Sequence, residues 1–201
     1  MNYNSLNKDW NKKFSLFVGS GLGFVLLFLW SFFEASFWFI APDMILILFV
    51  LFAPKFYKKY FFITLIASLL GASLYYLLNV YYFEKMTSIL LSTPFVTDFM
   101  INYIDNLYLK YGVLGTLFQA FSFMSLKIWI NLAVQHNLNF LSFIILTGIS
   151  RIIRFGVVLF ITLFVKKKFG AFLKKHALTV SLIYIFCFIV LLFVVESFIL
   201  L

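Results

Sequence analysis

Five ionisable residues stand inside otherwise apolar runs: Glu34, Asp43, Lys127, Arg151 and Arg154. Arg151 and Arg154, spaced i and i+3, share one helix face. At 1.5 Å per residue they lie about 22 and 18 Å of helix before Lys166, and Asp43 lies about 18 Å before Lys55. Those distances put all three near the middle of a bilayer. A charge at that depth costs about 2.5–3.5 kcal/mol on insertion scales. Four unpaired charges would cost on the order of 10 kcal/mol, the stability of a whole domain. They must therefore pair or line a wet cavity. Glu34 and Asp43 are predicted to face Arg151 and Arg154, with Lys127 nearby. Guanidinium matches the geometry of phosphate, and a carboxylate beside it could neutralise it when empty or carry a coupling proton.

Other chemistry has little support. His136 and His176 are the only histidines, each expected in a loop, and no serine or cysteine stands at recognisable spacing from a base. No enzymatic activity is expected. The single cysteine, Cys187, lies in an apolar run, which argues against a disulfide framework or metal cluster. No cofactor is implied. Asn79 and Asn131 either line a cavity or bond within helices.

The elements that position these residues follow from composition. Of 201 residues, 64% are apolar, 11% are charged and 30 are phenylalanine, where soluble domains have about 25% charged residues. The net charge of +9 could suggest nucleic acid, but its placement excludes that partner. The basic residues form clusters at Lys8, Lys12 and Lys13, at Lys55, Lys58 and Lys59, and at Lys166, Lys167, Lys168, Lys174 and Lys175. Lysines gathered between apolar runs are the positive-inside pattern of cytoplasmic loops. A span needs about 20 apolar residues. Residues 14–53 are long enough for two, with a bend available at Gly19, Gly21 and Gly23. Residues 60–82 make one span, 138–165 another and 177–201 a last, with Glu196 near the outer interface. Residues 111–134 are apolar except for Lys127.

Parity then constrains the topology. If every lysine cluster is cytoplasmic, 14–54 must leave and return, and 111–134 must return to the side it left. The expected fold is an all-α, polytopic integral membrane protein. Its two re-entrant or hairpin segments, around 31–54 and 111–134, pack among transmembrane helices. Residues 1–13 form a cytoplasmic N-terminal segment leading into an uncleaved anchor. Between the spans, Thr93-Pro94 reads as a helix start. Val96, Phe99, Met100, Tyr103, Ile104, Leu107 and Tyr108 then recur at the spacing of an interfacial amphipathic helix, with Asp98, Asn102, Asp105 and Asn106 opposite.

The run FFEASFWFIAPDMILILFVLFAPK, followed by ASLLGASLYYLL, resembles the first half of the DedA superfamily (the VTT or SNARE-associated domain), in its YqaA-like branch. Glu34, Pro42, Asp43 and Gly71 stand at matching positions. Tyr111-Gly112, FQAFSFMSLKIW and GISRIIRFG resemble the second half, with Lys127, Arg151 and Arg154 at its basic positions. The resemblance covers residues 14–170 and leaves 171–201 as a basic loop end and an extra C-terminal helix. Ser122, Phe123, Met124 and Ser125 replace the family's proline-rich run, and Ala41 replaces a proline.

The resemblance implies two re-entrant hairpins and a bacterial inner-membrane location. It also implies movement of lipids, including anionic or polyprenyl-phosphate lipids, with proton coupling in some members. A homo-oligomer is compatible with it. The competing expectation is a scaffold or assembly protein whose buried charges only fix helix packing.

Overall fold

The computed structural model describes residues 3–38, 41–93, 96–122 and 124–176, together with Thr179, Ile183 and Phe186, and every regular element among them is helical. Helices α4 (Tyr57–Tyr81) and α8 (Phe140–Lys175) form the frame. Both are long and apolar enough to cross a membrane, over Pro54–Tyr81 and Phe140–Gly170. The 25 residues of α4 reach about 37 Å at 1.5 Å each, against roughly 30 Å of hydrocarbon. The two helices run antiparallel. Lys58 and Leu163 line one groove, Leu69 meets Gly148, and Tyr76 packs edge-on against Phe140. The lysines that open α4 and those late in α8 therefore share one end of the molecule.

Helix α1 (Tyr3–Val18) meets α2 (Gly21–Ser36) at a 68° bend. Gly23 permits the bend, since a Cβ there would come within 2.5 Å of the Phe17 carbonyl. Ser20 caps α2 by accepting from the Gly23 N–H. The end of α1 is held at the lysine end, where the Tyr60 hydroxyl donates to the Val18 carbonyl at 3.0 Å and Ser15 donates to that of Phe52 at 3.1 Å. Lys12 and Lys13 thereby join the other two clusters.

From that end α2 climbs along α4, with Phe24 against Tyr60 and then Phe32 and Ala35 against Gly71. The chain turns after Ser36 and descends as α3 (Asp43–Phe52), and a 3₁₀ turn over Pro54–Phe56 leads into α4. Beyond α4, α5 (Phe83–Leu91) and α6 (Asp98–Tyr111) lie at the opposite end. A second hairpin starts there. Its inward arm is a 3₁₀ helix, Gly112–Ala120, and its outward arm is α7 (Leu126–Gln135). One core gathers Tyr75, Tyr108, Trp129 and Phe143 around this second hairpin. Another gathers Leu27, Phe49, Tyr60 and Phe155 around the first.

Large apolar side chains cover the outside of the frame, among them Phe62, Ile66 and Leu70 on α4 and Phe160, Ile161 and Phe164 on α8. A contiguous surface of that kind is a liability in water and ordinary in lipid. The all-helical, membrane-compatible architecture is the one the composition indicates.

The start of α6 corrects the sequence expectation. Thr93 does not open a helix, and Pro94 lies outside the described residues. Thr97 is the N-cap, accepting from the Met100 N–H. Both threonines fit the capping preference, and the extended backbone at Thr97 selects between them. The apolar face of α6 is also divided. Ile104 and Tyr108 are buried in the protein, while Phe99 and Tyr103 point outward. The expected C-terminal helix over 177–201, with Cys187 and Glu196, falls outside the described residues apart from Thr179, Ile183 and Phe186.

Candidate functional site

The tips of the two hairpins meet beside α8, and the five predicted charges lie there together. Each has a local reason for its position. Pro42 is the N-cap of α3, which places Asp43 in the first turn, where the exposed N–H groups favour an anion. Ser125 caps α7 and sets Lys127 at its start. Lys127 does not serve its own helix. Its Nζ donates to the Glu34 carbonyl at 2.6 Å and the Trp38 carbonyl at 2.5 Å. The first belongs to the last turn of α2 and the second lies just beyond its C-cap, Phe37, so a cation from one hairpin closes the helix end of the other.

Arg154 is held at all three of its nitrogens. Its Nε and Nη2 donate to Asp43 Oδ2 at 2.8 and 2.5 Å, and Nη1 donates to the Ser122 carbonyl at 2.9 Å. One guanidinium thus grips the tip of each hairpin. Arg151 differs. It is only 5% exposed, yet its nearest carboxylate contact is Glu34 Oε1 at 3.6 Å, beyond hydrogen-bond range. Its guanidinium lies over the Phe155 ring at 5.6 Å and makes no hydrogen bond among the described residues. Two buried carboxylate oxygens, Glu34 Oε2 and Asp43 Oδ1, also lack a hydrogen-bond partner among the described residues, as do both side-chain polar atoms of Gln119.

Among the described residues the cluster holds three cations and two carboxylates, a formal +1. A buried guanidinium with unmet donors in a net-positive site suits an oxyanion. The described residues contain no group of three or more His, Cys, Asp or Glu side chains placed to hold a metal ion.

A second polar centre lies near the far end of α4, at the Asn79 and Asn131 that the sequence offered as lining a cavity or bonding within helices. Asn131 Nδ2 donates to Asn79 Oδ1 at 2.9 Å and to Thr87 Oγ1 at 2.8 Å, while Asn79 donates back to the Tyr75 carbonyl. Asn131 therefore bonds between helices, tying α7 to α4 and α5. Asp105, expected on the polar face of α6, pairs with His136 at 2.7 Å, and His136 is the C-cap of α7. The Tyr108 hydroxyl, whose pKa burial pushes above the ordinary phenol value, donates to the Trp129 carbonyl. These contacts anchor α7 at its outer end and so fix Lys127 at its inner end. The only sequence signal for them was amide side chains in apolar helices. Gly71 sits at the α2–α4 crossing, where a Cβ would come 2.3 Å from the Phe32 carbonyl.

No protein-family profile, curated protein or solved structure matches the chain.

Proposed function

We propose that the chain is a DedA-like membrane protein that moves anionic lipid headgroups, phospholipid or polyprenyl phosphate, past the charged centre where its hairpin tips meet. In this reading α2–α3 and the Gly112–Ala120/α7 pair are re-entrant. They enter the bilayer from opposite faces, and their broken ends meet at mid-depth, as binding sites do in transporters built from discontinuous helices. The lysine end faces the bacterial cytoplasm, following the positive-inside rule. Arg151 receives the phosphate. Glu34 is its counter-ion in the empty state and its competitor when a headgroup arrives.

The observation that carries this reading is Arg151: a buried guanidinium whose only carboxylate contact among the described residues is 3.6 Å away. A residue present only to lock helices together would make the closed contacts that Arg154 makes.

The competing scaffold reading draws on that same Arg154, because its bonds to both tips are what a packing device requires. Proteoliposomes with a labelled phospholipid or polyprenyl phosphate separate the two readings. Leaflet exchange by the intact chain, abolished in folded Arg151→Ala and reduced in folded Glu34→Gln, is the expected result. Exchange equal to that of empty liposomes for every lipid would leave the scaffold standing.

A further inference from the structure

On the outer side of the frame, away from the charged centre, α4 and α8 leave an open groove of about 320 Å³. Phe61 and Phe62 form one wall, and Phe160 and Leu163 form the other. Gly156 keeps its inner end open, because a Cβ built there meets nothing within 4 Å. Phe62 and Phe160 are among the most exposed apolar side chains of their helices. The one cationic side chain lining the groove is Lys58. It lies one turn before Phe62, at the end where Lys55 of the 3₁₀ turn precedes α4, Lys59 follows and α8 approaches Lys166, Lys167 and Lys168.

We propose that this groove is a binding site for a single anionic phospholipid of the leaflet at the lysine end. One acyl chain lies between Phe62 and Phe160, and the phosphate sits beside Lys58. Three features of the chemistry select this occupant. The walls are apolar along their length, so an alkyl chain gains contact without leaving a polar group unmet. The cations stand only at the rim, at the depth of a headgroup, and each lysine near an anionic surface adds roughly a fivefold preference. The 320 Å³ volume lies near the lower end of ligand-sized clefts, about 300–1,000 Å³, and suits one chain better than a whole lipid. This site is separate from the Arg151 centre and does not depend on transport.

The site is tested on the full chain in nanodiscs containing equal amounts of phosphatidylglycerol and phosphatidylcholine. Lipid retained after release into mild detergent is counted by native mass spectrometry. The intact chain should keep one phosphatidylglycerol in preference to phosphatidylcholine. Gly156→Leu, which fills the groove, should lose it, and Lys58→Gln should lower the preference about fivefold. Lys110→Gln, which removes an exposed lysine from the end of α6, away from the groove, should retain it. No preferential retention by the intact chain would overturn the proposal, as would retention unchanged in Gly156→Leu. A Gly156→Cys variant that crosslinks two copies through the groove would also overturn it, by giving the groove to a second protomer.

Discussion

At the scale of single residues, the two arginines show how one residue type, three positions apart, can carry different burdens. Arg154 donates to Asp43 Oδ2 and to the Ser122 carbonyl, so removing the Asp43 carboxylate strands a largely buried charge. Breaking such a pair costs about 3–5 kcal/mol. Glu34 and Arg151 are more deeply buried, with side chains 8% and 7% exposed, but stand 3.6 Å apart, which leaves less direct interaction to lose. Double-mutant cycles scored by thermal unfolding in detergent should therefore give a coupling of about 3 kcal/mol for Asp43→Ala with Arg154→Met. For Glu34→Ala with Arg151→Met it should be about 1 kcal/mol. Equal couplings would mean that the two pairs do the same structural work, and would remove the reason for assigning the phosphate to Arg151. The sequence made the membership of this cluster legible, since charges set inside apolar runs must find one another. It could not reveal which pair is tight. That depends on Ser122 turning its carbonyl toward Arg154, a detail of a proline-free turn with no sequence signature.

At the scale of elements, what positions the cluster is close contact between helices rather than the charges themselves. Gly71 lets α2 lie against α4 at the level of Glu34, and a Cβ there would sit 2.9 Å from that of Ala35 as well as 2.3 Å from the Phe32 carbonyl. Backbone cannot give way as a flexible side chain does, so the helices must separate. Gly71→Ala should cost about 1–3 kcal/mol and displace Glu34. Gly148→Ala, whose Cβ would make ordinary contact with Leu69 at 3.6 Å, should be tolerated or should stabilise α8 by up to about 1 kcal/mol through helix propensity. Unfolding midpoints of the two variants in one detergent check the contrast, and equal shifts would contradict the packing described at Gly71. The second hairpin carries a related lesson. Without proline at 121–125, a break there could not be read from residue type. The structure breaks the chain all the same, because Ser125 caps α7 and the Lys127 head group is held by the end of α2. Such a break is set by tertiary contacts, which periodicity does not record.

At the scale of the whole molecule, charge is segregated along the axis of the frame. Lys12 and Lys13, Lys55 to Lys59 and Lys166 to Lys168 gather where α1, α4 and α8 share an end. Glu84, Asp98, Asp105 and His136 belong to the elements at the other end, where Lys85 and Lys110 leave three carboxylates against two lysines. Counting lysines along the sequence anticipated this arrangement, because a cluster between apolar runs must lie in a loop and loops of like charge favour one side. The antiparallel run of α4 and α8 brings about the same grouping by packing alone, through Leu69 on Gly148 and Tyr76 on Phe140. Two independent routes thus lead to one expectation. In a Cys187→Ser background, single cysteines at Lys12, Lys58 and Lys167 should react with a membrane-impermeant maleimide from the same face of sealed vesicles. Cysteines at Tyr103 and Asn137 should react only from the other face. Labelling of Lys58 and Lys167 from opposite faces would break the antiparallel frame itself. Labelling of Tyr103 from the lysine face would instead leave the frame intact and show that α6, with the Asp105–His136 pair, returns to that side. In that case the second hairpin would not enter from the opposite face, and Arg151 would lose the two-sided access that a path for lipid headgroups requires.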